Sequence, residues 1–137
     1  MPDAAAIVAE ARAWVGTPFR WAQSAKGQGC DCKGLVAGVA RGIGSPAGDS
    51  LVAAVGDYAK VDPLRLKAGL ARLFDPVDEP SPGDVLLLSI AGKAQHLAIM
   101  VEGNRMIHCY ARGPQAVVEV PMGRIWKGAI DSAWRFR

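Results

Sequence analysis

Cysteine and histidine are scarce in this chain, which has three of the first and two of the second among 137 residues. An odd, unevenly spaced set of three cysteines is no disulfide framework and leaves at least one thiol for chemistry. Basic blocks are missing too. The net charge of +3 is spread without consecutive Lys or Arg and without a basic stripe interleaved with aromatics, which argues against a nucleic-acid partner. That charge reads as solubility charge, with modest compatibility with an acidic polymer. No apolar stretch approaches the roughly 18 to 20 residues that span a bilayer, so no membrane partner is expected. The first residues, "MPDAAAIVAEARAW", carry no basic leader, no uninterrupted apolar core and no cleavage-site pattern. The expectation is synthesis in the cytoplasm without a signal peptide, some other carrier taking the protein out if it acts outside.

What is present is ordinary globular material: half of the residues are apolar and 21% are charged. A chain of this length can bury one core without help from disulfides or metal. No repeat, linker or low-complexity segment divides it, so residues 1–137 are expected to form a single domain. Ile7, Val8, Ala11, Trp14 and Val15 recur at helical spacing behind the N-cap candidate Asp3, with Gly16 as the stop. The next stretch, "TPFRWAQSAKGQG", reads as a long loop leading to Cys32. Leu35, Val36, Val39, Ala40 and Ile43 predict a second helix that ends near Gly42 or Gly44 and has Cys32 at its N-terminus. Residues 45–62 are ambiguous. The segment "DPLRLKAGLARLF" predicts a short helix with Pro63 in its first turn, and 75–83 a proline-rich loop.

The second half changes period. "DVLLLSI", "HLAIMV", "RMIHCY" and "AVVEV" are short apolar runs separated by turn residues, and the tail "AWRFR" is a candidate last strand. Helices first and strands later predict an α+β domain with the helices on one face of an antiparallel sheet.

The motif that invites a chemical reading is "GCDCKGL", residues 29–35. A cysteine is a nucleophile as thiolate, and a helix N-terminus lowers its pKa through unsatisfied N–H groups and the dipole. Lys33 adds positive charge, and Gly34 leaves room for a substrate backbone. The plainer alternative is a buried structural cysteine.

A nucleophile needs a base, and His96 and His108 both fall in the hairpin "QHLAIMVEGNRMIHCY". With a three-residue loop at Glu102, Gly103 and Asn104, Val101 faces Arg105 and the two histidines share a face as diagonal neighbours. A two-residue turn would put Cys109 beside His96 instead. With the longer loop, His96 can take a proton from Cys32 and His108 can orient it. Cys30, Cys32, His96, His108 and Cys109 also hold enough donors for zinc. Against zinc, Cys-x-Cys is tighter than the usual knuckle, and adjacent residues 108 and 109 point to opposite faces of a strand.

Taken together, "WVGTPFRWAQSAKGQGCDCKGLVAGVARGIG", "SPGDVLLLS" and "QHLAIMVEGNRMIHCY" resemble the successive motifs of the NlpC/P60 family of papain-like cysteine peptidases, over nearly the whole chain. The G-C-D-C-x-G-L-V block and the ending from Trp126 to Arg137 look most like the short members carried by phage tails and gene transfer agents. The resemblance implies a papain-like α+β fold and hydrolysis of peptidoglycan stem peptides, commonly at the bond from D-γ-glutamate to diaminopimelate. It implies an acyl-enzyme, no metal and no cofactor. Cys32 matches the nucleophile, His96 the general base and His108 the orienting residue. Phe19, Trp21, Asp31 and Lys33 fall where the family meets substrate, Asp31 matching a structural cap. Lys33 replaces the usual serine, Phe19 a frequent tyrosine, and Trp21-Ala22-Gln23 a W-G-G stretch. Without that tyrosine the oxyanion needs other donors, starting with the Cys32 backbone N–H. Cys30 and Cys109 have no counterpart in the pattern and read as packing residues. In the subgroup, cell-wall penetration and tail-tip or baseplate partners are implied. The other readings are a non-catalytic tail component, or an amidase or acyltransferase on another acyl substrate.

Overall fold

A computed structural model describes residues 2–55 and 62–137. Among them, α1 (Ala4–Ala13) leads to a small hairpin of β1 (Ser24–Ala25) and β2 (Gly29–Cys30), then α2 (Cys32–Gly42), α3 (Ala47–Val55) and α4 (Pro63–Leu73). There follow β3 (Phe74–Val77), β4 (Val85–Ile90), β5 (Lys93–Val101), β6 (Arg105–Cys109), β7 (Val117–Pro121), α5 (Gly123–Gly128) and β8 (Ile130–Phe136). The six strands β3 to β8 form one antiparallel sheet in the order β3-β8-β4-β5-β6-β7. This is the expected α+β architecture.

The first helix starts as its sequence directs: the Asp3 carboxylate accepts the Ala5 N–H at 3.3 Å. Ile7, Val8, Ala11 and Trp14 are buried, but Val15 is 48% exposed, because the helix closes at Trp14 and the chain leaves its stripe one residue early. The presumed long loop is more ordered than expected, since β1 and β2 pair and Phe19 bridges Cys30. In α2, Gly38 lies against the Trp14 ring, where a Cβ would collide with the indole, so this glycine sets how closely α1 and α2 approach. The ambiguous segment supplies α3, while 56–61 lie outside the described residues. Asp62 caps α4 through the N–H groups of Leu64 and Arg65, with Pro63 at the first position. The loop expected at 75–83 begins as a strand instead: β3 holds Pro76 at the edge of the sheet, where its missing N–H costs no ladder bond.

The main core lies between one face of the sheet and α1, α2 and α4, with Leu35, Val36, Leu66 and Leu70 against Leu87, Leu97, Ile99 and Ile107. The helices are not confined to that face. Leu86, Leu88, Ala98 and Met106 form a second apolar cluster on the other side, covered by Met122 and by Trp126 of α5. The reason is legible in β4, whose run of Val85 to Leu88 is apolar at both parities and so requires cover on both faces.

Sheet and loop are tied by Asp84, which is 2% exposed. Its carboxylate accepts the Ser81 N–H at 2.8 Å and two Arg135 N–H groups at 2.9 and 3.0 Å. Replacing Arg135 with Ala leaves that carboxylate buried with Ser81 alone. The expected outcome is a loss of stability, read as a lower urea midpoint. An unchanged midpoint would show that solvent already screens the pair.

Candidate active site

The site is built where α2 begins. Both oxygens of the buried Asp31 carboxylate are engaged: Oδ1 accepts the Gly34 N–H and Oδ2 the Ala22 N–H, each at 2.8 Å. Asp31 thus caps the helix and pins the preceding loop to it. Ser24 Oγ donates to the Gly34 carbonyl at 2.6 Å and locks the same contact. The space beside Gly34, expected to admit a substrate backbone, is filled by the Gln23 carbonyl, which a Cβ would strike. This glycine therefore serves the docking of the loop.

His96 and His108 lie on the face of the second cluster, in the register that a three-residue loop requires: Val101 pairs with Arg105 and Ala98 with His108. His96 Nε2 stands 2.8 Å from His108 Nδ1. One ring donates and the other accepts, so if His96 is to take a proton at Nδ1, its own hydrogen is on Nε2 and that of His108 is on Nε2. Trp126 packs edge-on to His108 at 5.2 Å between centroids, and Tyr110 lies 5.0 Å from His96. A β-bulge beside His96, where Leu88 pairs with His96 but Ser89 with Ala94, bends β5 at this point and leaves Gln95 unpaired in the ladder.

Cys32, His96, Phe19, Trp21, Asp31 and Lys33 all line one cavity of about 360 Å³, along with Gln95, Cys109, Tyr110 and Arg112. Phe19 and Trp21 meet edge-to-face at 4.8 Å, and Trp21 remains 61% exposed. Lys33 is 1% exposed, so its side chain is sunk into the wall. Tyr110 could have been found in the sequence, being two residues beyond His108 on the same strand face. Trp126 could not, because nothing in the pattern announced α5. Arg112 lies in a loop with no periodic signal.

The electrostatics correct one expectation. Burial and the Asp31 carboxylate push the Cys32 thiol up to about 12, although a hydrogen bond from the Leu97 N–H and the charge of Lys33 pull it down. A helix N-terminus alone does not yield a resting thiolate here, because the thiol is desolvated and faces a fixed anion. Burial and its neighbour His108 push His96 down to about 3, and burial pushes His108 down to about 4. Both rings are neutral at pH 7. Among the described residues no group of three or more His, Cys, Asp or Glu is arranged to hold a metal ion. His108 turns toward Trp126 while Cys109 enters the main core. Among the described residues no helix is long and apolar enough to cross a membrane.

The profile of the NlpC/P60 family matches residues 16–135. The chain belongs to the NlpC/P60 family. No curated protein matches it. Solved NlpC/P60 structures share its fold. An NlpC/P60 family protein from Bacillus cereus ATCC 10987 superposes with a TM-score of 0.71 at 20% identity, covering 98% of this chain and 40% of its own. The NlpC/p60 domain of the peptidoglycan hydrolase SagA gives 0.62 at 24%, covering 96% and 97%. A lipoprotein-like NLP/P60 protein from Staphylococcus aureus subsp. aureus Mu50 gives 0.61 at 22%, covering 96% and 40%. The chain thus spans 40% of the length of the Bacillus and Staphylococcus proteins and nearly all of the SagA domain.

The two neutral histidines give this NlpC/P60 domain an acid sensitivity of defined sign. Unfolded histidines titrate near pH 6.5, so below that the unfolded chain takes up protons that the folded rings refuse. Their stability contribution is complete above about pH 6.5 and falls as the pH drops toward 4, by up to ~1.4 kcal/mol per pH unit for each ring. Melting curves between pH 7 and pH 4 should show a steep fall in Tm, made shallower by His108→Gln. Equal slopes in the two proteins would mean that His108 carries no such shift.

Proposed function

We propose that the chain is a cysteine peptidase that hydrolyses peptidoglycan stem peptides, at the D-γ-glutamyl-diaminopimelate bond, through an acyl-enzyme on Cys32. The observation that carries this reading is the 2.8 Å contact of His96 Nε2 with His108 Nδ1, which engages one ring nitrogen of His96 and leaves Nδ1 as the one to serve Cys32, with which His96 lines a common cavity. The description of SagA as a peptidoglycan hydrolase supports the substrate class.

Because the thiol is held protonated and His96 neutral, the proton passes from Sγ to His96 Nδ1 as Sγ attacks the carbonyl carbon. His108 accepts the Nε2–H throughout and stabilises the imidazolium that forms. The Cys32 backbone N–H, at the first helical position, has no intrahelical acceptor and is placed to bind the oxyanion. Collapse expels the amine, which takes the proton from His96. Water, deprotonated by the same ring, then cleaves the thioester and restores the thiol. No cofactor enters this cycle.

Arg112 supports an acidic substrate. Among the described residues its guanidinium makes no hydrogen bond or ion pair, and it lines both the cavity of Cys32 and an adjoining one of about 290 Å³. A stem peptide brings free carboxylates to that cation. The likeness of the G-C-D-C-x-G-L-V block to phage-tail and gene-transfer-agent members extends the proposal to cell-wall penetration. In that setting residues 1–137 are one catalytic domain, held by tail-tip or baseplate proteins and acting in the periplasm.

The test is digestion of purified diaminopimelate-type muropeptides, with products identified by mass spectrometry. Cys32→Ala and His96→Ala should lose essentially all turnover with an unchanged circular dichroism spectrum, and His108→Ala should lose less. Turnover retained by Cys32→Ala would sink the mechanism. No turnover by the parent protein, its Cys32 shown to be reduced and accessible, would favour a non-catalytic tail component or another acyl substrate. Arg112→Gln should raise KM several-fold for muropeptides with free carboxylates and change kcat less. Amidated muropeptides should be indifferent to it, and an equal rise for both would remove Arg112 from substrate recognition.

A further inference from the structure

Two of the three cysteines have no part in the proposed reaction, yet they meet. Cys109 Sγ donates a hydrogen bond to the Cys30 carbonyl at 3.3 Å, which brings the two cysteines side by side. Both are fully buried and both are free thiols. Their places matter: Cys30 ends β2, two residues before Cys32, and Cys109 ends β6, directly after His108. They are 79 residues apart in the chain. Cys32 is engaged differently, its sulfur accepting the Leu97 N–H.

We propose that Cys30 and Cys109 are a preset disulfide site, closed by a low-molecular-weight disulfide when the protein meets an oxidising medium. The cross-link joins the segment that delivers the candidate nucleophile to the strand that carries His108. It stands independently of the peptidase reading.

The exchange balances with an external disulfide as oxidant. Both thiols are buried, so the exchange proceeds when the cavity wall opens locally, and Cys109, which borders the cavity, is the first thiol reached. Its thiolate attacks one sulfur, expels the other as a thiolate and leaves a mixed disulfide. The Cys30 thiolate then attacks Cys109 Sγ and expels the second small thiolate. The two protein thiols give up two protons and two electrons, and the external disulfide becomes two thiols. The Cys109 contact and burial push the Cys30 thiol upward, so ring closure is slow at neutral pH and quickens as pH rises.

The folded Cys32→Ser variant is equilibrated with mixed oxidised and reduced glutathione, alkylated, and digested with trypsin without reduction. The tryptic peptides 27–33 and 106–112 each then contain one cysteine, and they should be recovered linked. The linked protein should melt higher by roughly 5 to 15 °C, as closing a long loop predicts. Dithiothreitol should abolish the shift, and Cys109→Ala should lack both the cross-link and the shift. Recovery of the two cysteines free or as separate glutathione adducts overturns the proposal, in a buffer where an unfolded control closes its disulfide. A cross-linked protein that melts lower also overturns it, because the thiols would then not be preset. In the parent protein, Cys32 should remain open to iodoacetamide after the cross-link forms; a link from Cys109 to Cys32 there overturns the assignment to Cys30.

Discussion

The arrangement of the site rests on the parity of one turn. Three residues between β5 and β6 set Val101 against Arg105, and from that register the two imidazoles necessarily fall on one face as diagonal neighbours. One residue fewer would have sent His108 through the sheet and brought Cys109 forward. The bulge at Gln95 adds a second adjustment, bending β5 where His96 must leave the flat of the sheet to face the helix start. A pair of polar rings inside an apolar cluster is costly unless each has a partner, and here each is the partner of the other.

The opposite side of the cavity is organised by Asp31. Its two oxygens hold the helix start and the incoming loop together, so Cys32 is fixed by a residue whose carboxylate is committed to backbone N–H groups on both sides. The same carboxylate raises the thiol that it positions. Position and ionisation are thus in tension, and in the proposed mechanism the neutral His96 resolves it by receiving the proton only as the sulfur reacts. The buried cation of Lys33 acts in the other direction.

Much of this is legible in the sequence. Helical spacing located α1, α2 and α4; a change of period located the sheet; Asp3 and Pro63 marked two helix starts. Counting along the hairpin leaves two registers open, and the three-residue turn selects the one that joins the histidines. What escaped had no local signature. Val15 continued an apolar stripe that the backbone had already left. The ordering of residues 17–30 depends on pairing with Cys30 and on the Asp31 carboxylate, both tertiary effects. A glycine at 34 signals open space, and a sequence does not say that the Gln23 carbonyl fills it. The helix α5 is short and polar, and its Trp126 matters only through a sheet face that pattern alone left uncovered. The thiol's ionisation depends on desolvation, which requires knowing what surrounds it.

The strand order β3-β8-β4 carries a consequence for how the chain comes off the ribosome. Residues 130–136 do not add to an edge; they fill a slot between two strands made some 50 residues earlier. Until they emerge, β3 has no partner in the sheet and β4 keeps one ladder open, so both present unpaired backbone to solvent. The nascent protein therefore carries all three of its thiols and both histidines for some time before the sheet beneath them is closed.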